Sequence, residues 1–259
     1  MSAPLAGRAA IVTGVSRRAG IGFAVAERLA RDGADLLVHS WAPHDAEMAW
    51  GVDPDGVEAL VADLRALGGR VEPVVADFEQ PGAAAAVVDA GVAAFGHVDV
   101  VVANHARSSS QGVASLTADE LDRTLTVNVA STLLLVQAFA AQHDDRPGGR
   151  VVLLTSGQGR GAMPGEVPYV ASKGAIEQVT PTLAAELMGR GITVNAIDPG
   201  PTDTGWADES THAAVAAAMP QGRWGTPADA ARLVAWLAGD ESAWITGQVI
   251  HSDGGHSLT

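Results

Sequence analysis

The chain is 259 residues long, enough for one large domain or two small ones, and at that size about 75 % of the unfolded surface can be buried without any covalent staple. Sixteen basic against thirty acidic side chains leave a net charge of −14. A nucleic-acid backbone would bind against that field, so nucleic acid is set aside as a partner. There is no cysteine, which excludes disulfides, thiolate zinc sites and cysteine nucleophiles and fits a cytoplasmic setting.

Apolar residues make up 47 % of the chain, but no stretch of about 18 or more runs without polar interruption, so no membrane span is expected. Met1 to Arg8 lacks the basic-then-apolar order of a secretory signal. Short β-branched runs then alternate with Ala-rich helical patterns. The first strand is expected at Ala9–Thr13, followed by a glycine turn and a helix at Ile21–Arg31. A strand at Asp35–His39 leads through an unusually long connection, Ser40 to Asp55, which carries Trp41 and Trp50, to a helix at Gly56–Leu67. Next come a strand at Arg70–Val75, a helix at Gly82–Phe95, a strand at Val98–Ala103 and a helix at Ala118–Gln142 capped by Thr117. Beyond these lie a strand at Val151–Thr155, a helix at Tyr169–Met188 and a strand at Thr193–Ile197. The second long connection, Pro199 to Gly225, holds only a short helical pattern near Thr211–Met219. A helix at Pro227–Leu237, capped by Thr226, and a strand at Gln248–His251 close the chain.

Most of these strands are continuously apolar, as parallel strands covered on both faces are. The alternation predicts an α/β fold: one Rossmann-type, doubly wound parallel sheet of about seven strands with helices on both faces, a single domain over 1–259. Ligands of such sheets bind beyond the carboxyl ends of the strands, where both long connections begin.

The first βα turn runs from Gly14 through Ser16, Arg17 and Arg18 to Gly20, Ile21 and Gly22. Glycines let the backbone approach a diphosphate, and the helix N-terminus behind them offers free N–H groups and partial positive charge. A dinucleotide is therefore the expected cofactor. Ser40 stands where an acid would bond the ribose 2′-hydroxyl of NAD, while Arg17 and Arg18 could face a 2′-phosphate. NADP(H) is favoured over NAD(H) on that ground, unless an acid of the following loop such as Asp45 takes the diol.

The chain has one tyrosine, Tyr169, and one lysine, Lys173, four residues apart at the start of a helix. Side chains at i and i+4 share a face roughly 6 Å apart. At an effective dielectric of about 20 the lysine would stabilise a phenolate by about 3 kcal/mol, about 2 pKa units. That falls short of bringing a phenol from about 10 to 7, but a phenol that only donates a proton needs less.

With these residues in place the chain resembles the short-chain dehydrogenase/reductase family over essentially its whole length. Tyr169 and Lys173 match its Tyr-x-x-x-Lys pair, and Ser156, thirteen residues before Tyr169, its substrate-binding serine. Asn128 matches the helix asparagine that completes the tetrad by holding a water beside the lysine, and Asp77 the adenine-contacting acid. Pro199-Gly200, with Thr202 and Thr204 after it, matches the segment that meets the nicotinamide end. Ile245-Thr246-Gly247 through Asp253-Gly254-Gly255 matches the C-terminal strand.

Two departures stand out. The glycine turn is two residues longer than the family's, and the segment after the fourth strand reads Ala103-Asn104-His105-Ala106 where the family has Asn-Asn-Ala-Gly. Asn104 keeps its place at the cofactor, and His105 is expected to be packed or hydrogen-bonded rather than catalytic. The other histidines show no metal-ligand spacing, so no metal is expected.

The resemblance implies an NAD(P)H-dependent interconversion of a ketone and a secondary alcohol, nearest to bacterial 3-oxoacyl-thioester reductases. Ser156 would hold the carbonyl oxygen, Tyr169 exchange its proton, Lys173 lower the tyrosine pKa and bond the nicotinamide ribose, and Asn128 order a relay water. The partner is a small-molecule carbonyl or alcohol. Gln142 to Arg146 is not the basic patch that an acidic carrier protein would need, so a small free ketone or a coenzyme A thioester is as plausible a substrate as a 3-oxoacyl carrier-protein thioester. Trp206, Met219 and Trp224 in the second long connection point to an apolar substrate portion. The family also implies a homo-oligomer, a tetramer or dimer. A binding protein that senses dinucleotide without turnover is the rival, but such relatives typically lack the tyrosine or lysine that this chain retains. A lyase or epimerase with the same tetrad would usually need a longer chain.

Overall fold

The computed structural model describes residues 3–258. Seven strands form one sheet: β1 (Ala9–Val12), β2 (Asp35–Ser40), β3 (Val71–Val75), β4 (Val100–Ala103), β5 (Gly149–Leu154), β6 (Ile192–Asp198) and β7 (Val249–His251). All pairings are parallel, in the order β3-β2-β1-β4-β5-β6-β7. The helices are α1 (Ile21–Arg31), α2 (Ala42–Glu47), α3 (Gly56–Arg65), α4 (Ala83–Phe95), α5 (Ala118–Leu125), α6 (Ser131–Gln142), α7 (Val167–Leu187), α8 (Glu209–Ala218) and α9 (Pro227–Ala238).

The apolar runs of the strands are explained by a core on each face. Ala10, Val12, Leu36, Val38, Val100 and Val102 pack with α1, α3 and α9. Their neighbours Ile11, Leu37, Val101 and Ala103 point the other way and pack with α4, α6 and α7. The strand order reverses between β1 and β4, which opens a crevice at their carboxyl ends.

Three local features differ from the expected elements. The apolar pattern 118–142 is not one α-helix: a π-turn at Thr126–Ala130 separates α5 from α6. By length and composition this stretch is apolar enough to cross a bilayer, but its inner face, with Leu135, Val136 and Phe139, is buried in the sheet core. The long connection after β2 contains α2, a short helix with proline in its first turn. The Tyr169 helix begins two residues early, at Val167, again with proline in the first turn. The capping expectations hold: Thr117 accepts from the Glu120 N–H, and Thr226 and Asp229 form a reciprocal capping box.

Candidate active site

A cleft of about 840 Å³ lies over the carboxyl ends of the strands, between the glycine turn and the segments after β4, β5 and β6. Gly14, Ser16, Arg17, Gly20, Ile21, Gly22, Asp77, Asn104, Tyr169, Pro199, Gly200, Thr202 and Thr204 all line it, together with Ser156. Four sequence-predicted residues need correction or refinement: Ser40, Asn128 and Lys173 do not line the cleft, and Arg17 points elsewhere than expected.

The glycine turn fits a diphosphate. Gly14 has φ +73°, a Cβ there would sit 2.8 Å from Asn104 Nδ2, and a Cβ at Gly22 would lie 2.2 Å from the Gly14 carbonyl oxygen. The α1 N-terminus carries neither a side-chain cap nor an acid in its first turn, so its N–H groups are open to an anion. Asn104 braces the turn by donating to the carbonyls of Thr13 (2.9 Å) and Gly14 (3.2 Å). On the other side Gly200, φ +62°, lets the β6 segment pass close to Asp253, whose Cβ a side chain at Gly200 would meet at 2.5 Å.

The Arg17 guanidinium spans from the connection after β2 to the segment after β6. Its Nη1 donates to the Thr204 carbonyl (3.0 Å), beyond β6, and its Nε lies 3.3 Å from Asp45 of α2. Arg18 turns outward to Asp63 and Asp55. Ser40 is buried with the parity of Leu36 and Val38, so the pleat directs it beneath α1 and α3.

The preceding residue, His39, takes the cleft position instead, and sequence reasoning missed it. Its Nε2 lies 2.9 Å from the Ala76 carbonyl and its Nδ1 accepts from the Gly14 N–H at 3.3 Å, which assigns the neutral Nε2–H form. Its ring stacks on Phe78 at 4.3 Å, and Phe78 meets His105 at 4.2 Å. His105 is bonded as expected: Nδ1 is 2.7 Å from Thr13 Oγ1, and Nε2 is 2.8 Å from Ser131 Oγ and 3.1 Å from the Val127 carbonyl.

Burial pushes His39 down to about 4 and His105 well below its ordinary value. An unfolded chain therefore takes up these protons first as pH falls below about 6.5. Stability from His39 is fully present above that pH and is lost as pH falls toward 4, about 2 kcal/mol of it between pH 7 and 5. Urea unfolding at the two pH values should show a smaller acid loss in His39→Asn than in the wild type. Equal losses would contradict the neutral, buried state.

At the other end of the cleft, the end of β5 delivers Ser156 and the first turn of α7 delivers Tyr169, and both line it. Tyr169 differs from the expectation of a lowered pKa. Burial first, then Glu166 and Asp198, push the phenol up to about 12 against a lowering by the neighbouring Ser156 hydroxyl. Lys173 lies beneath it, with Nζ 5.7 Å from the ring centroid and donating to the Leu154 carbonyl at 2.9 Å, and burial lowers it to about 8. Its own desolvation explains why it does not dominate the phenol.

Asn128 sits in the π-turn, and its amide is bonded to protein at both ends. Oδ1 accepts from the Arg107 N–H (2.6 Å), while Nδ2 donates to the Arg107 carbonyl (3.0 Å) and to Ser172 Oγ (2.9 Å). Ser172 in turn donates to the Tyr169 carbonyl at 2.7 Å. The asparagine thus ties the β4 loop to the tyrosine's helix turn.

The cleft is also lined by Trp206 and Val215 on the second long connection and by Met163 and Glu166 before α7. Trp206 meets the buried Trp224 edge-on at 5.6 Å, and Trp224 stacks on His212 at 4.9 Å. Met219 is buried under this segment and does not face the cleft.

Known proteins share this architecture. A family model described as Enoyl-(Acyl carrier protein) reductase matches residues 14–257. The chain is 38 % identical over 248 residues to the uncharacterized oxidoreductase YjdA of Bacillus subtilis (strain 168), covering 95 % of each chain. A short-chain dehydrogenase from Burkholderia cenocepacia J2315, solved in complex with NADP, is 37 % identical with a TM-score of 0.86, covering 98 % of this chain and 99 % of that one. The promiscuous reductase LugOII, which catalyses keto-reduction at C1 during lugdunomycin biosynthesis, is also 37 % identical with a TM-score of 0.86, covering 99 % and 100 %. The chain therefore belongs to the short-chain dehydrogenase/reductase family and is an oxidoreductase of CH–OH and C=O groups.

Proposed function

We propose that the protein reduces a small free ketone to a secondary alcohol, with NADP(H) preferred over NAD(H). The observation that carries this reading is that Ser156 and Tyr169 line the same cleft as the glycine turn, with the phenol held protonated. When bound, the reduced nicotinamide supplies the hydride. Ser156 and Tyr169 then hold the substrate oxygen, and Tyr169 gives its proton as negative charge develops there. Lys173, buried behind the ring, stabilises the phenolate that remains. Asn128 acts as a positioning residue through Ser172.

NADP(H) is supported by the acids that follow β2. Asp45 and Glu47 line the cleft, but they are ion-paired with Arg17 and Arg107, so neither stands uncommitted for a ribose diol. The Burkholderia neighbour's complex with NADP agrees with this. A free ketone is supported over a carrier-borne thioester by the surface. Among the described residues every arginine except Arg160 is paired with a carboxylate, which leaves no basic face for an acidic carrier. Self-association belongs to the same reading, supported by Trp244, which is 99 % exposed. A cytoplasmic setting is supported by the cysteine-free composition.

Absorbance at the reduced-nicotinamide band, with NADPH and separately NADH, against ketones and 3-oxoacyl thioesters tests the whole reading. Faster consumption with NADPH and a free ketone is expected. Preference for NADH, or turnover of thioesters alone, would overturn the finer assignments.

A further inference from the structure

Arg17 occupies the part of the glycine turn that is two residues longer than the family pattern, and its side chain does something the sequence did not announce. It leaves the turn after β1 and crosses to the segment after β6, where Nη1 meets the Thr204 carbonyl at 3.0 Å. Two groups steady it on the way. Asp45 lies 3.3 Å from Nε, and the Trp50 ring faces Cζ at 5.2 Å. Both belong to the connection after β2, and they are fixed to each other, since Trp50 Nε1 donates to Asp45 Oδ1 at 3.0 Å and Asp45 is buried.

A dinucleotide spanning a doubly wound sheet puts its adenosine on one side of the crevice and its nicotinamide on the other. Its diphosphate must cross at the first βα turn. Arg17 makes the same crossing. Of the five N–H groups on a guanidinium, one goes to Thr204 and the Nε edge faces Asp45, so terminal N–H groups remain on a residue that lines the cleft. A planar fork beside the uncapped α1 N-terminus is suited to phosphate oxygens. A reader of the 2′-phosphate would instead aim its terminal nitrogens at the end of β2, whereas Arg17 Nη1 is directed to Thr204 across the crevice and Arg18 turns outward.

We infer that Arg17, steadied by Asp45 and Trp50, clasps the cofactor's diphosphate between the glycine turn and the Thr204 segment and takes no part in choosing NADP(H) over NAD(H). This rests on the dinucleotide reading above. Isothermal titration of the full chain with NADPH and with NADH tests it without reference to turnover. Arg17→Ala should weaken both cofactors at least tenfold and by similar factors. Arg17→Lys, which keeps the charge but not the fork, should weaken both by about threefold. Loss confined to NADPH would make Arg17 a 2′-phosphate reader, and unchanged affinity for both would make it a structural brace. Either result overturns the clasp. Absence of binding in the wild type would sink the dinucleotide reading itself, an outcome distinct from a failure of the variants.

Discussion

Tyr169→Phe is expected to cut turnover at least a hundredfold while NADPH affinity stays within about twofold. The substitution keeps the ring that fills the site over Lys173 and removes only the hydroxyl. Because the phenol is pushed up to about 12, it is protonated throughout the physiological range and ready to donate. The cost of its loss is a developing alkoxide with no proton source in a site where water is largely displaced. On the proposed reading the dinucleotide is held by other residues that line the cleft, the glycine turn, Asn104 and the Pro199–Thr204 segment, so affinity should be nearly unmoved. Steady-state rates and calorimetry on the same two proteins check both halves. Comparable turnover would remove Tyr169 from the chemistry, whereas a parallel loss of binding would mean that the ring's hydroxyl is chiefly a cofactor contact.

The sequence made the sheet readable because buried parallel strands are continuously apolar, and the seven strands lie within a few residues of where their β-branched runs put them. That same property hid the side-chain parity of β2. With Leu36, Leu37 and Val38 all buried, no alternation marks whether His39 or Ser40 faces the cleft, and the family position favoured the wrong one. The π-turn at Thr126–Ala130 was invisible for a related reason. The apolar pattern continues through it, and the turn shows only in hydrogen bonding, where Asn128 is spent on Arg107 and Ser172. The candidate catalytic residues were legible by identity but not by state. Tyr169, Ser156 and Lys173 sit together as their spacing implies, but the phenol's raised pKa comes from burial and from Glu166 and Asp198, neither of which the spacing of tyrosine and lysine reveals. Arg17 is the extreme case, since a long side chain's target depends on which distant segments, here those of Asp45 and Thr204, the fold brings within reach.

Gly22→Ala is expected to weaken NADPH binding by about a hundredfold, or about 3 kcal/mol, and to lower folding stability by about 1 to 3 kcal/mol. Gly22 is in the first turn of α1 and has an ordinary helical backbone, so space decides the outcome rather than conformational freedom. An added methyl would lie 2.2 Å from the Gly14 carbonyl oxygen and 2.7 Å from Asn104 Nδ2. The oxygen is backbone and cannot rotate away; Asn104 is itself tied to the carbonyls of Thr13 and Gly14. Relief therefore requires the glycine turn and the α1 N-terminus to separate, and the N–H groups that would receive the diphosphate move with them. A displacement on the order of 1 Å at such a site is enough for a hundredfold effect. Gly189→Ala, where a methyl meets nothing within 4 Å, serves as the control and should bind and melt like the wild type. Calorimetric titration together with thermal melts separates the two consequences. If Gly22→Ala melts lower yet binds NADPH with wild-type affinity, the glycine turn supports the fold but does not hold the diphosphate.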